Sequence, residues 1–105
     1  MFMFGRSKGK TVPVNELDAL IGKIELIDIR ETYEFSGGSL RTAKNVPMQK
    51  LISDPAKYLK KDKTYYLMCQ SGARSRMCCG QLTRDGYDVV DVVGGYGMYF
   101  GSNRK

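Results

Sequence analysis

Tyr65-Tyr66-Leu67-Met68-Cys69-Gln70-Ser71-Gly72-Ala73-Arg74-Ser75 reads as a strand that ends on a cysteine, a short glycine-containing loop, and the start of a helix. Thr64 to Met68 is aromatic and apolar, the pattern of a strand covered on both faces. Gly72 supplies the backbone freedom of a tight turn. The helix runs from Arg74 to Asp85 and stops at Gly86. Upstream, Leu26-Ile27-Asp28-Ile29 is a second short apolar strand, interrupted by Asp28. Glu31 to Phe35 is a helical turn ended by Gly37-Gly38, and Ala43 to Pro47 is extended because Pro47 pushes Val46 toward β geometry. Ser53-Asp54-Pro55 caps a short helix through Leu59. Downstream, Asp88 to Val93 is a valine-rich strand ended by Gly94-Gly95, and Met98 to Phe100 forms a last helical turn. At the other end, Thr11-Val12-Pro13 opens the fold, and Asn15 caps a helix that carries Leu17, Leu20 and Ile21 and stops at Gly22. Strands alternating with helices predict an α/β domain, a central mostly parallel sheet with helices on both faces. In such sheets ligands bind at the carboxyl ends of the strands, which singles out the Cys69 loop.

Composition narrows the chemistry. A chain of 105 residues is one domain, and 42% hydrophobic with 27% charged residues is a globular balance rather than a disordered one. The chain has no histidine, which excludes a Ser-His-Asp triad, a Cys-His pair and a His-ligated metal site. Three cysteines at uneven spacing do not make a disulfide framework. Free thiols point to a reducing compartment. With neither a signal-peptide core nor an apolar run approaching twenty residues, the expectation is a soluble cytoplasmic protein that does not engage membrane, a monomer or weak dimer.

The net charge of +6 comes from 17 Lys and Arg against 11 Asp and Glu. Arg6, Lys8 and Lys10 near the start and Arg104 and Lys105 at the end leave a body of twelve basic and eleven acidic residues. The division is a basic tail over 1–10, the domain over 11–100, and a basic tail over 101–105. A nucleic-acid binder needs a basic face on the folded body, so no nucleic-acid partner is expected. Tyr65, Tyr66, Tyr96 and Tyr99 read as core and rim packing. Gly94-Gly95 lacks the Lys-Ser/Thr of a phosphate loop and reads as turn geometry.

Four features of the Cys69 loop favour thiolate: a thiol on a rigid strand end, loop N–H groups that form an anion nest, a helix N-terminus behind them, and Arg74 and Arg76 nearby. A free cysteine with a pKa of about 8.5 is only about 3% thiolate at pH 7, and a two-unit drop makes it about three quarters thiolate. No histidine base is needed. A buried cysteine before an ordinary glycine loop would give the same local pattern.

Cys69-Gln70-Ser71-Gly72-Ala73-Arg74-Ser75 resembles the Cys-x-x-Gly-x-Arg-Ser/Thr active-site loop of rhodanese-like sulfurtransferases. Leu26-Ile27-Asp28-Ile29-Arg30 with Glu34-Phe35 is similar to that family's Asp-x-Arg…Glu-Tyr segment. Gly38-Ser39-Leu40 with Ala43 to Pro47 is similar to its Gly-His-Ile…Gly-Ala-x-Asn-Ile-Pro segment, and Tyr87 to Gly95 to its closing Gly-Tyr…Gly-Gly pattern. The likeness spans about residues 11–100. Three departures stand out: Ser39 replaces the usual His, Thr42-Ala43 replaces the Gly-Ala turn, and Tyr99 stands near the usual Trp.

The resemblance implies a sulfurtransferase without metal or cofactor. Cys69 takes a sulfane sulfur from thiosulfate or a persulfide donor. The resulting Cys69 persulfide passes it to a thiophilic acceptor: cyanide in the test tube, a thiol or protein cysteine in the cell. Gln70, Ser71, Gly72, Ala73, Arg74 and Ser75 form the binding loop, with Arg74 either orienting the donor or bracing the loop. Asp28 and Arg30 support it from the neighbouring strand, and Glu34 is structural. Cys78 and Cys79, on the helix after the loop, are resolving thiols or small buried positions. Two other readings are a non-catalytic binding or redox-regulatory module, and a Cys-dependent phosphatase or arsenate reductase. The latter use Cys-x5-Arg, and here that Arg position is Ser75.

Overall fold

The computed structural model describes residues 10–105. Five strands, β1 (Lys10–Pro13), β2 (Glu25–Asp28), β3 (Lys44–Asn45), β4 (Thr64–Met68) and β5 (Asp88–Val93), form one sheet in the order β1-β5-β4-β2-β3. Every pairing in it is parallel. The α helices are α1 (Thr32–Ser36), α2 (Met48–Ser53), α3 (Pro55–Tyr58) and α4 (Ala73–Arg84), with 3-10 turns at Val14–Ala19 and Tyr96–Met98.

Side-chain alternation along the strands explains the layering. Ile27, Tyr65, Leu67, Cys69 and Val89 share one core with Leu51, Leu59, Cys78, Cys79 and Leu82 of the α2, α3 and α4 side. Leu26, Met68 and Val92 share a second core with Val14, Leu17, Leu40, Ala43 and Tyr99. The sheet is thus buried on both faces, as its near-continuous apolar strands require. Register places Asp28 beside Met68 and Leu67 beside Asp91. The carboxyl ends of β2, β4 and β5 therefore lie side by side, which gathers the segments after them at one edge. No helix among the described residues is long and apolar enough to cross a membrane.

The structure corrects several expectations. Asn15 does not cap a helix; the 3-10 turn begins after Pro13. Asn15 instead donates from Nδ2 to the Met98 carbonyl and accepts the Phe100 N–H at Oδ1, pinning the chain end. Helix α2 was not visible in the sequence, because Pro47 precedes it without a side-chain cap. The last turn lies at Tyr96–Met98, earlier than expected. Residues 101–105 are no free tail. Leu40 and Arg104 form an antiparallel bridge, the Lys105 N–H donates to the Ser39 carbonyl, and Lys105 Nζ donates to that of Ala43. The Arg104 guanidinium lies 5.0 Å from the Tyr99 ring centre, where a cation–π attraction holds it. Lys10, placed in the other tail, opens β1 and pairs with Asp88; residues 1–9 of that expected tail lie outside the described residues.

Thr42, where the resembled family has glycine, has a φ of 69°. That left-handed conformation strains a β-branched residue. Thr42→Gly should therefore raise stability by about 0.5–1 kcal/mol, less than the relieved strain because glycine loosens the unfolded chain. A thermal melt checks the sign.

Candidate active site

Cys69 follows β4 directly and is fully buried at the base of the loop that leads into α4. Its sulfur accepts two backbone hydrogen bonds, from the Gly72 N–H at 3.1 Å and the Ser75 N–H at 3.3 Å. The loop can turn back onto the sulfur because Gly72 takes a φ of 103° just before α4. Both donors belong to the opening of α4, where N–H groups lack intrahelical partners and carry partial positive charge. Two converging N–H groups on one atom are the geometry of an anion nest. The Ser75 hydroxyl lies 3.6 Å from the same sulfur.

The loop is fixed from three sides. Its carbonyls are taken by the turn after β5: Tyr96 N–H donates to Cys69 O at 2.8 Å and Gly97 N–H to Gln70 O at 2.9 Å. Gly95 makes this clamp possible. A Cβ there would fall 2.6 Å from the carbonyl oxygens of both Cys69 and Gln70, and its φ is 65°. Gly95→Ala should cost about 2–3 kcal/mol and displace the loop; a lowered melting temperature together with weakened Cys69 chemistry would show both.

The second support is a buried ion pair. Asp28 and Arg30 are 0% and 3% exposed. Arg30 Nε and Nη2 reach both Asp28 oxygens at 2.8–3.1 Å. Arg30 Nη1 donates to Gln70 Oε1 at 3.0 Å, Nη2 to the Gly38 carbonyl, and the guanidinium sits 4.5 Å from the Tyr96 ring centre. Ser39, which stands where the resembled family has histidine, donates its hydroxyl to Asp28 Oδ2 at 2.7 Å. Asn45 Nδ2 bridges the carbonyls of Asp28 and Arg30.

The third support is Arg74. Its two terminal nitrogens donate to the two Glu34 carboxylate oxygens at 2.9 and 3.0 Å. That hydrogen bond is the main cause holding the Glu34 carboxyl below the usual carboxylate range. In this structure the Arg74–Glu34 pair braces the loop, tying α4 to α1. Glu34 also completes a capping box with Glu31 on α1.

Gln70, Ser71 and Ala73 are the exposed residues of the loop. Burial pushes the Cys78 thiol up to about 12, with the charge of Cys69 adding to it. Burial also pushes Cys79 up, helped by Asp91, Cys78 and Cys69. Both are therefore neutral thiols at pH 7 and poor resolving nucleophiles, as small buried helix positions would be.

Gly95, Tyr96 and Asp91 escaped sequence reasoning as parts of this site. Each reaches the loop through the β4–β5 pairing, whereas in the sequence Gly95 reads only as turn geometry and Tyr96 only as packing. Asp91, a lone carboxylate among valines, was the one visible signal.

Comparison with known proteins identifies the family and the fold. The pattern of the rhodanese-like domain matches residues 13–99. The chain belongs to the rhodanese-like domain family. The Bacillus subtilis (strain 168) protein YqhL is 33% identical over 93 residues, covering 88% of this chain and 73% of that protein. A sulfurtransferase of Allochromatium vinosum is 37% identical over 71 residues, covering 67% of this chain and 65% of its own length. The crystal structure of a rhodanese-like domain protein from Staphylococcus aureus superposes with a TM-score of 0.81 at 27% identity, covering 91% of this chain and 96% of that one. This rhodanese-like chain thus carries its loop cysteine on the framework of sulfurtransferase relatives.

Proposed function

We propose that the protein is a sulfurtransferase that carries sulfane sulfur as a persulfide on Cys69. The Cys69 thiolate attacks the outer sulfur of thiosulfate, the sulfur–sulfur bond breaks, and sulfite leaves with the electron pair. A thiophilic acceptor, cyanide in vitro or a thiol or protein cysteine in the cell, then attacks the outer sulfur and releases the thiolate. The observation that carries the reading is the pair of α4 amides, Gly72 and Ser75, donating to Cys69 Sγ at 3.1 and 3.3 Å. They stabilise the thiolate before attack and after release, without a histidine. Cys69 is fully buried, beside the exposed loop residues Gln70, Ser71 and Ala73. The three cysteines are all free, which suits work in a reducing compartment such as the cytoplasm. The loop's spacing argues against phosphate chemistry, since Ser75 occupies the position where Cys-dependent phosphatases place arginine.

Thiocyanate formation from thiosulfate and cyanide tests the reading. A carrier mechanism gives parallel lines in double-reciprocal plots as the two substrates are varied. Intersecting lines, or no thiocyanate from either thiosulfate or a low-molecular-weight persulfide, would count against it.

A further inference from the structure

Asp91 sits in the middle of β5, between Val90 and Val92, and is 7% exposed. A carboxylate in such a place needs a partner. Among the described residues its hydrogen-bond partner is the Ser75 hydroxyl, 2.5 Å from Oδ1. Ser75 is fully buried, and its Oγ lies 3.6 Å from Cys69 Sγ. The three side chains therefore make successive contacts, sulfur to hydroxyl to carboxylate, with the Gly72 carbonyl a second, longer acceptor for the Ser75 hydroxyl at 3.2 Å. Asp91 also lines a cavity of about 650 Å³ that it shares with the loop residues Ser71, Gly72 and Ala73, where a proton can exchange with water.

We propose that Asp91, acting through the Ser75 hydroxyl, accepts the proton that Cys69 gives up when its thiolate forms. The S–H bond breaks as the proton passes to Ser75 Oγ, while the Ser75 hydroxyl proton passes to Asp91 Oδ1. Cys69 ends as thiolate and Asp91 as carboxylic acid, with net charge unchanged. When the sulfur atom has been delivered, the same path returns the proton. In a protein without histidine, this gives the cysteine an acceptor inside the fold. Asp91 is a positioning residue here, since it touches Ser75 rather than substrate.

The surroundings suit a carboxyl that holds a proton. Burial raises it above the usual carboxylate range, opposed by the Ser75 hydrogen bond and the Arg76 charge. Groups facing it or sharing its cavity are Ser75, Arg76 and Cys79 of α4 and Lys10 and Thr11 of β1. Lys10 is engaged with Asp88. The β4 neighbour is the apolar Leu67.

The inference rests on Cys69 reacting as a thiolate, and its test uses thiol alkylation and NMR, so its failure is separable from a failure of sulfur transfer. The first readout is the rate of Cys69 alkylation by iodoacetamide against pH, resolved by peptide mass to separate Cys78 and Cys79. The wild type should titrate in two steps, the lower following Asp91. Asp91→Asn and Ser75→Ala should each give one step, with the lower step lost, because neither variant can share a proton between sulfur and carboxyl. Ser75→Thr, which keeps the hydroxyl, should keep both steps. A lower step that survives in Asp91→Asn or Ser75→Ala overturns the proposal. The second readout needs no substitution. In the wild-type protein the carbon-13 shift of the Asp91 carboxyl should show a second inflection at the Cys69 midpoint, lost once Cys69 is blocked with a small methylthio group. A carboxyl that titrates identically with Cys69 free and blocked would also overturn it.

Discussion

Cys69→Ser should lower thiocyanate formation by at least about a thousandfold, the scale on which enzymes respond to loss of a covalent nucleophile. The fold should survive. A serine oxygen in the same place still accepts the Gly72 and Ser75 N–H groups that now reach the sulfur. What is lost is chemistry. A serine hydroxyl is not ionised near pH 7, and oxygen does not replace sulfur as a carrier of sulfane sulfur. Cys78→Ala and Cys79→Ala should keep their transfer activity, because both thiols are buried and held neutral. Steady-state rates of the three variants, with melting curves beside them, make the comparison. Wild-type activity in Cys69→Ser would move the carrier to one of the helix cysteines.

The second large effect is on stability. Asp28→Ala should destabilise the domain by about 3–5 kcal/mol, because it leaves the guanidinium of Arg30 buried without its counter-charge. Arg30 is 3% exposed. The substitution also removes the acceptor of the Ser39 hydroxyl and of the Arg30 N–H. For a domain of this size each kcal/mol shifts the melting temperature by roughly 4–8 °C, so a drop of 12 °C or more, roughly, is expected. Because Arg30 also holds Gln70, the remaining folded protein should alkylate Cys69 with altered rate. Replacing Asp28 by Asn keeps an acceptor for Ser39 and for part of the guanidinium, and should cost less. Urea titrations of both variants test the order.

Most of the architecture was legible because each strand carries its own signal. β4 and β5 fall where their apolar runs begin and end, and α4 is bounded by Gly72 and Gly86, the glycines that mark it in the sequence. Elements without such punctuation were harder to see. Helix α2 has no capping side chain, and the residue it buries is Leu51, in the core shared with β4 and α4. Asn15 carries a capping signal but spends its side chain on Met98 and Phe100, more than eighty residues away in sequence. The basic C-terminal residues looked like a solvated tail because the carbonyls and rings that hold Arg104 and Lys105 come from distant segments.

The site divides in the same way. The nucleophile, the glycine of its turn and the amides behind it are local, and the sequence pattern places them. Gln70, Arg74 and Ser75 are local too, yet their duties are not: Gln70 meets Arg30, Arg74 meets Glu34, and Ser75 meets Asp91. Those partners arrive through the parallel register of β2, β4 and β5. The support of the loop is therefore a property of the topology.

The most direct test of the account is the intact mass of the wild-type protein after incubation with thiosulfate, followed by a cyanide chase. The account predicts a gain of about 32 Da, one sulfur atom, on the wild type and on neither Cys69→Ala nor Cys69→Ser, and its complete removal by cyanide. A protein that gains no mass from thiosulfate or from a low-molecular-weight persulfide, or that gains it equally without Cys69, would contradict the account.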